Sequence, residues 1–277
     1  IGMFTDAELC RRTPGHSSFI DLFNKHGFRT VRIMDLSGDS IHDYSLGILT
    51  RNCRERRQTP LQHQTPGMMQ ERTSLVMEES LKNFGRNRQL YIIYNNGSHM
   101  AFSYPAQAER FTPASCNMDD PKARLEETVN AYDNSIRYTD DFLSRLIGLL
   151  QQQDAGSAML YTSDHGEDIF DDHRHLFLHA SPVPSYYQLH VPFIVWTSDT
   201  YREKYPEHMD ALQKNRHKSV ASNRVVFHSV FDLAGVTTTY VNDSLSVASP
   251  SYTEFPRFYL NAVSYTHLRA HETELHL

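Results

Sequence analysis

The segment Ala158–Thr162, with the sequence AMLYT, passes directly into Ser163–Glu167, with the sequence SDHGE, and this junction decides the fold. The first half is short and almost continuously apolar, which is typical of a strand covered on both faces. The second half places a carboxylate and an imidazole at the end of that strand, and Gly166 permits a turn there. In open α/β sheets, ligands bind at the carboxyl ends of the strands. The junction therefore predicts an α/β protein with a functional site after this strand.

Three further apolar runs predict strands, and helical patterns separate them. The predicted strands are Thr30–Met34, Leu90–Tyr94 and Pro192–Thr197. The predicted helices cover about 18–26, 75–84, 121–152 and 224–234, and the stretch 35–73 is predicted to be an irregular surface excursion. This alternation predicts a three-layer α/β/α sandwich with a largely parallel central sheet.

Composition excludes several other classes of protein. The 277 residues carry 27 basic and 33 acidic side chains, a formal net charge of −6, and no basic block stands out, so no nucleic-acid partner is expected. The three cysteines are too scattered for a zinc knuckle or a redox pair, and any disulfide pairing stays open. No apolar stretch has the ~18 residues that a membrane-spanning helix needs.

Histidines follow more than one predicted strand. Asp164 and His165 form a mixed oxygen and nitrogen ligand set, which suits Zn²⁺. His99 follows the strand Leu90–Tyr94, and His179 lies a short distance beyond the Asp-His pair. We expect these loops to converge at one sheet edge and form a metal centre.

These motifs resemble those of the phosphoethanolamine transferases, relatives of alkaline phosphatase and the sulfatases. The resemblance rests on the SDHGE run after a strand, on Gly97-Ser98-His99 after the strand before it, and on Leu178-His179 ahead of a proline. Residues 110–116 and 130–143 resemble two further stretches of the family. The similarity covers about residues 18–261 and implies an alkaline-phosphatase-like fold, with residues 1–262 forming part of a sulfatase-like catalytic domain.

The resemblance also implies a role for each site residue. Asp164 and His165 would be ligands of the main zinc ion. His99 and His179 would contact the substrate phosphate or a second, more weakly held zinc. Glu167 would support these ligands or meet the ethanolamine ammonium group. The neighbouring pairs His173/His175 and Asp171/Asp172 are predicted to lie in a solvated loop. His190 is predicted to be structural, and His228 to pack in the protein or to support the site residues.

The implied activity is transfer of phosphoethanolamine from phosphatidylethanolamine to lipid A or another periplasmic glycan acceptor. A zinc-activated Thr would attack the donor phosphate, and the acceptor would then displace that Thr. The resemblance places this Thr, one more acidic ligand and membrane-anchoring helices upstream of Ile1; Thr13 is predicted to be a loop residue. The catalytic domain is therefore expected in the periplasm, anchored to the inner membrane. The alternatives are a sulfatase or phosphodiesterase of the same superfamily, or a catalytically inactive remnant.

The segment 263–277 differs in character from the rest of the chain. Its sequence resembles translated adaptor read-through, so it is predicted to be a non-native tail, and its three histidines are assigned no function.

These assignments predict that the chain alone binds zinc weakly and transfers nothing. With only Asp164 and His165 from the main site, zinc would have two protein ligands instead of four. Isothermal titration calorimetry measures this directly. Tight, stoichiometric zinc binding that is abolished in Asp164→Ala would contradict the prediction.

Overall fold

The computed structural model describes residues 18–34, 50–58, 66–84, 88–115, 117–260 and 265–267. The chain divides into two compact units, Ile1–Ala155 and Gly156–Leu277, and each is described by itself.

The first unit contains a parallel three-stranded sheet with β1 at its centre. In chain order its elements are α1 (Phe19–Lys25), β1 (Arg29–Met34), β2 (Glu55–Gln58), α2 (Pro66–Phe84), β3 (Gln89–Tyr94), a 3₁₀ turn (Ala106–Ala108) and α3 (Leu125–Gln151). The strand order is β2-β1-β3, and both pairings are parallel. Because β1 has a neighbour on each side, Val31 and Ile33 are fully buried.

The first helix is bounded by a capping serine at its start and by a glycine after its end. Ser18 caps α1: its hydroxyl accepts a hydrogen bond from the Asp21 backbone N–H, and the Asp21 carboxylate accepts one from the Ser18 N–H, so two otherwise unpaired donors are satisfied. After the helix, Gly27 adopts a φ of 78°, the left-handed conformation that ends helices.

The second unit carries the segment that decided the fold. Its elements are β4 (Ala158–Thr162), β5 (Asp168–Ile169), β6 (Phe177–Leu178), α4 (Tyr186–Leu189), β7 (Phe193–Thr197), α5 (Asp199–Lys204), α6 (Pro206–Asn215), α7 (Ser222–Leu233), a 3₁₀ turn (Asp243–Leu245), β8 (Phe258–Leu260) and β9 (Tyr265–His267). β4 pairs with β7, β5 with β6 and β8 with β9, and all three pairings are antiparallel.

The four predicted strands and the alternation of helices with strands are confirmed. The parallel arrangement is confirmed for β1, β2 and β3, but β7 runs antiparallel to β4, because an apolar run predicts burial and carries no information about strand direction. The expected burial of β3 and β4 on both faces is also wrong: each of their residues keeps part of its surface exposed. Within the described residues each of these strands has one strand neighbour.

The prediction of an irregular excursion over 35–73 is wrong in two places. Residues 55–58 form β2, which lies at the edge of the sheet among the described residues. Its sequence ERRQ has no apolar pattern, and charged residues are common in edge strands. Helix α2 begins at Pro66, nine residues before the predicted start at Leu75. Residues 35–49 lie outside the described part of the chain.

Three residues of the predicted tail, Tyr265–His267, pair through their backbone with β8. The origin of this tail stays a prediction.

Across the described part of the chain, no helix is both long enough and apolar enough to span a bilayer.

A polar network ties the helices of the second unit together. The Asp232 carboxylate on α7 accepts a hydrogen bond from the Ser246 hydroxyl and lies 3.4 Å from Nε2 of His208 on α6. The Tyr201 hydroxyl on α5 is hydrogen-bonded to Nδ1 of the same imidazole, 2.7 Å away. Burial alone would raise the pKa of Asp232, but the contacts with His208 and Ser246 outweigh it and lower the pKa.

We expect Asp232→Asn to reduce the free energy of unfolding at neutral pH by about 1–3 kcal/mol, because it removes a charged hydrogen-bond acceptor from this network. Since the pKa of Asp232 is lower in the folded state, its contribution is complete above the unfolded value of about 4 and is lost as the pH falls through the folded value. Urea titrations of both proteins at neutral and acidic pH test this. A stability difference that stays constant as the pH falls would contradict the assignment.

Candidate metal and phosphate site

The chain turns sharply at the end of β4, and hydrogen bonds within the turn fix its shape. The Ser163 hydroxyl donates to the His165 carbonyl oxygen over 2.7 Å, and the His165 N–H donates to Oδ1 of Asp164 over 3.1 Å. Nδ1 of His165 lies 3.1 Å from the Gly166 carbonyl oxygen. The imidazole is thereby held close to its own backbone, with part of its surface exposed.

Gly166 makes a close contact with the segment around α4. Its N–H donates to the Gln188 carbonyl oxygen over 2.9 Å. A Cβ atom at this position would lie 2.1 Å from the Tyr187 carbonyl oxygen, far inside contact distance. Glycine is therefore required here by lack of space.

The β5–β6 hairpin brings His179 back beside His165. Asp168 pairs with Leu178 across the hairpin, so Glu167 and His179 stand at its open end. The residues on either side of His179, Leu178 and Ala180, have φ values of 64° and 65°. Left-handed backbone at two residues with side chains is costly, and such conformations cluster at functional sites.

Three side chains meet at this point: His165, Glu167 and His179. One ligand atom from each lies within 4.8 Å of the other two. The two imidazole rings are stacked, with centroids 3.9 Å apart and an angle of 29° between their planes. Both carboxylate oxygens of Glu167 lie 2.9 Å from Nδ1 of His179.

The two carboxylates that flank His165 have opposite environments. The Glu167 side chain is 5% exposed, whereas that of Asp164 is 76% exposed, with its Oδ2 3.9 Å from Nε2 of His165. A buried carboxylate needs a partner, and His179 supplies it.

Burial, together with the Asp164 carboxylate, raises the pKa of Tyr161, so this phenol stays neutral at physiological pH.

The donor atoms fit a zinc ion. Two imidazoles and one carboxylate form the His₂Glu set found in catalytic zinc sites, which keep a further position open for water or substrate. A second choice of carboxylate lies beside His165, because Asp164 is on its exposed side. The chemistry of the donor set therefore admits zinc at His165 with either acidic neighbour.

Within the second unit, the structure brings together three of the five predicted site residues, His165, Glu167 and His179. Asp164 points to solvent at its edge. His99 belongs to the first unit, in the turn after β3, where its Nδ1 lies 3.1 Å from the Met100 carbonyl oxygen, and its convergence with His165 stays a prediction.

The histidines that were predicted to lie in a solvated loop or to be structural have local partners or exposure of their own. His173 and His175 are exposed, and Arg174 between them pairs with Asp172, whose pKa is lowered by that hydrogen bond. His190 is hydrogen-bonded to the Tyr186 hydroxyl over 2.8 Å. Nδ1 of His228 accepts a hydrogen bond from a backbone N–H, and burial lowers the pKa of this imidazole. Thr13 lies outside the described residues.

Sequence reasoning missed a buried polar group behind the site. Gln188 and Asp168 are 4% and 1% exposed, and the Gln188 amide donates to both Asp168 and Ser181. No motif marks an isolated glutamine in a polar segment. The sequence offered one signal for a functional role of Gln188, which is its position shortly before a predicted strand.

Comparison with known proteins identifies the family of the chain. A family model described as Sulfatase matches residues 5–236, which is most of the chain. The chain belongs to the sulfatase family.

Several curated relatives of the chain are phosphoethanolamine transferases. EptA of Salmonella typhimurium is 30% identical over 165 residues, which are 58% of this chain and 30% of that protein. The Kdo(2)-lipid A phosphoethanolamine 7''-transferase of Escherichia coli K12 is 33% identical over 136 residues, which are 47% of this chain and 23% of that protein. The resemblance inferred from the sequence motifs is confirmed. The chain spans about a third or less of the length of these relatives.

Solved structures show the same fold. The periplasmic domain of Escherichia coli EptC, solved as a complex with Zn, has a TM-score of 0.77 at 20% identity and covers 93% of this chain and 72% of that one. The periplasmic domain of EptC from Campylobacter jejuni has a TM-score of 0.71 at 23% identity, covering 86% and 72%. A member of the alkaline phosphatase superfamily from Vibrio parahaemolyticus gives 0.58 at 12% identity, covering 95% and 58%. The predicted alkaline-phosphatase-like α/β fold is confirmed.

We expect Gly166→Ala to destabilise the protein by at least about 1–3 kcal/mol and to separate His165 from His179, because the new Cβ would overlap the Tyr187 carbonyl oxygen. Gly148→Ala is the matched control. Gly148 lies within α3 with open space around its Cβ position, so alanine there should raise stability by about 0.5–1 kcal/mol. Thermal denaturation of the two variants measures both effects, and equal stability changes would refute the steric argument.

Proposed function

We propose that this chain is the carboxyl-terminal part of a phosphoethanolamine transferase that modifies lipid A or another periplasmic glycan, with phosphatidylethanolamine as the donor. The observation that supports this most directly is the group His165–Glu167–His179 at the end of a strand, in a sulfatase-family chain whose curated relatives are phosphoethanolamine transferases. The names of related proteins supply lipid A as an acceptor and the periplasm as the location. Anchoring of the whole protein to the inner membrane is part of the proposal.

His165 and Asp164 would hold the main zinc ion. The two ligand atoms nearest each other, Nε2 of His165 and Oδ2 of Asp164, are 3.9 Å apart, close enough for a small rotation of the exposed Asp164 side chain to bring both to one cation. Bound zinc would neutralise phosphate charge and lower the pKa of a coordinated hydroxyl. The Thr nucleophile and the further acidic ligand belong, in this proposal, to sequence outside the described residues.

His179 would bind the phosphate of the donor, or a second zinc ion. Because Nδ1 faces both oxygens of Glu167, the other ring nitrogen, Nε2, is the one that would reach the substrate. A histidine whose second nitrogen is held by a carboxylate has a fixed ring orientation and tautomer. Glu167 would therefore position His179. Its burial argues against contact with the ethanolamine ammonium group, the other role that the resemblance implies.

His99 would contact the substrate phosphate or a second zinc ion. Its place after β3, in the segment Gly97-Ser98-His99, supports this role through the family motif alone.

The sulfatase or phosphodiesterase alternative is less well supported, because the curated relatives named above are phosphoethanolamine transferases. A phosphodiester and a sulfate ester both present negatively charged oxygens to a site, so the fold by itself does not separate the two reactions.

The proposal is tested by expressing the full gene in a bacterium that lacks its own phosphoethanolamine transferases and analysing lipid A by mass spectrometry. The wild-type protein should add phosphoethanolamine. His179→Ala should reduce the modification about 100-fold or more, since it removes a group that binds the reacting phosphate. Glu167→Gln should reduce it about 10-fold, since one acceptor oxygen remains for Nδ1 of His179.

His173→Ala is the matched control, because this exposed histidine lies in the loop of the same hairpin and should leave activity unchanged. Unmodified lipid A with the well-expressed wild-type protein, together with hydrolysis of a sulfate ester, would support the sulfatase alternative and overturn the proposal.

A further inference from the structure

Gln188 lies behind the histidine pair and touches both chain segments that carry it. The residue is 4% exposed and sits in α4, whose N-terminus is capped by the Ser185 hydroxyl. None of the roles proposed above uses it. A buried amide has four hydrogen-bonding positions to satisfy, so its partners show what it holds in place.

The backbone of Gln188 holds the first segment. Its carbonyl oxygen accepts the hydrogen bond from the Gly166 N–H over 2.9 Å. Gly166 stands between His165 and Glu167, so this bond fixes the segment from which both side chains project.

The side chain of Gln188 holds the second segment. Its amide nitrogen donates one hydrogen bond to Oδ2 of Asp168 and another to the Ser181 hydroxyl oxygen, which is 3.0 Å away. Asp168 begins β5, directly after Glu167. Ser181 lies two residues beyond His179. One amide group thus connects the two ends of the hairpin that returns His179 to His165.

We propose that Gln188 is a positioning residue for the site, which keeps His179 and Glu167 in register with His165. The inference rests on the proposed function, because it assigns Gln188 to the same zinc and phosphate site. An amide meets the requirement. Its nitrogen offers two N–H groups to two acceptors, whereas a glutamate offers none and would set a second carboxylate against buried Asp168.

The backbone conformation explains why such a clamp is needed. Leu178 and Ala180 hold left-handed φ values on either side of His179, and strained residues persist only where surrounding contacts enforce them. The hydrogen bond from Gln188 to Ser181 is such a contact, next to Ala180. Without it we expect this segment to relax and the His179 ring to leave its stacked position.

The test compares Gln188→Ala with the wild-type chain by NMR and by zinc titration. In the wild type, an inter-ring nuclear Overhauser effect between His165 and His179 should be observed, because the ring centroids are 3.9 Å apart. Gln188→Ala should lose this cross-peak and raise the zinc dissociation constant about 10-fold or more, however weak the wild-type affinity is. If Gln188→Ala does not fold, Ser181→Ala, which removes one of the two acceptors, should weaken the cross-peak.

Asn215→Ala is the matched control. The Asn215 amide is also buried in the second unit and also donates two hydrogen bonds, to the carbonyl oxygens of Val247 and Ser249. This variant should lose stability but keep the cross-peak and the zinc affinity. Loss of the cross-peak in the control, or its persistence in both Gln188→Ala and Ser181→Ala, would overturn the inference.

The same titration separates this inference from the proposed function. If His165→Ala and His179→Ala bind zinc as the wild type does, the proposed metal site is wrong, whatever Gln188 does. If those two variants lose affinity while Gln188→Ala keeps both affinity and cross-peak, the site stands and the positioning role of Gln188 is wrong.

Discussion

The candidate site depends on a backbone contact that leaves no room for a side chain. The Gly166 N–H meets the Gln188 carbonyl oxygen at 2.9 Å, and any Cβ on Gly166 would overlap the neighbouring carbonyl group of Tyr187. This contact brings the end of β4 against α4. His165 and Glu167 flank the glycine, so their positions follow from it. The hairpin that carries His179 then closes against the same helix through the Gln188 amide.

Much of the α/β fold follows from apolar runs, because a strand in a protein core must bury its side chains whatever its partners are. The apolar runs therefore predicted the strands β1, β3, β4 and β7 from the sequence. Strand direction was not, since the same apolar residues serve a parallel or an antiparallel pairing, and β7 proved antiparallel to β4. The charged edge strand β2 and the two-residue strands of the β5–β6 hairpin bury too little apolar surface to leave a pattern.

The sequence indicated which residues form the candidate site. It did not indicate which of their side chains pair with each other. The SDHGE run indicated His165 and a carboxylate, and the leucine-histidine pair indicated His179. Which carboxylate meets which imidazole depends on how the chain turns after β4. The turn leaves Asp164 in solvent and directs Glu167 inward, to the histidine that lies twelve positions later. Gln188 carries no motif, and the role proposed for it rests on its three contacts with Gly166, Asp168 and Ser181.

The pairing of Glu167 with His179 also constrains the chemistry that the second imidazole can perform. A carboxylate with 5% of its side chain exposed is costly without a partner, so the Glu167–His179 contact stabilises the fold, and in the proposed function it also orients His179. That requirement directs Nδ1 of His179 toward Glu167 whether the ring acts as a zinc ligand or as a donor to phosphate. The two roles then differ only in whether Nε2 carries a proton. The fold thus fixes the orientation of the His179 imidazole. Whether Nε2 binds zinc or donates to a phosphate oxygen depends on whether this nitrogen carries a proton.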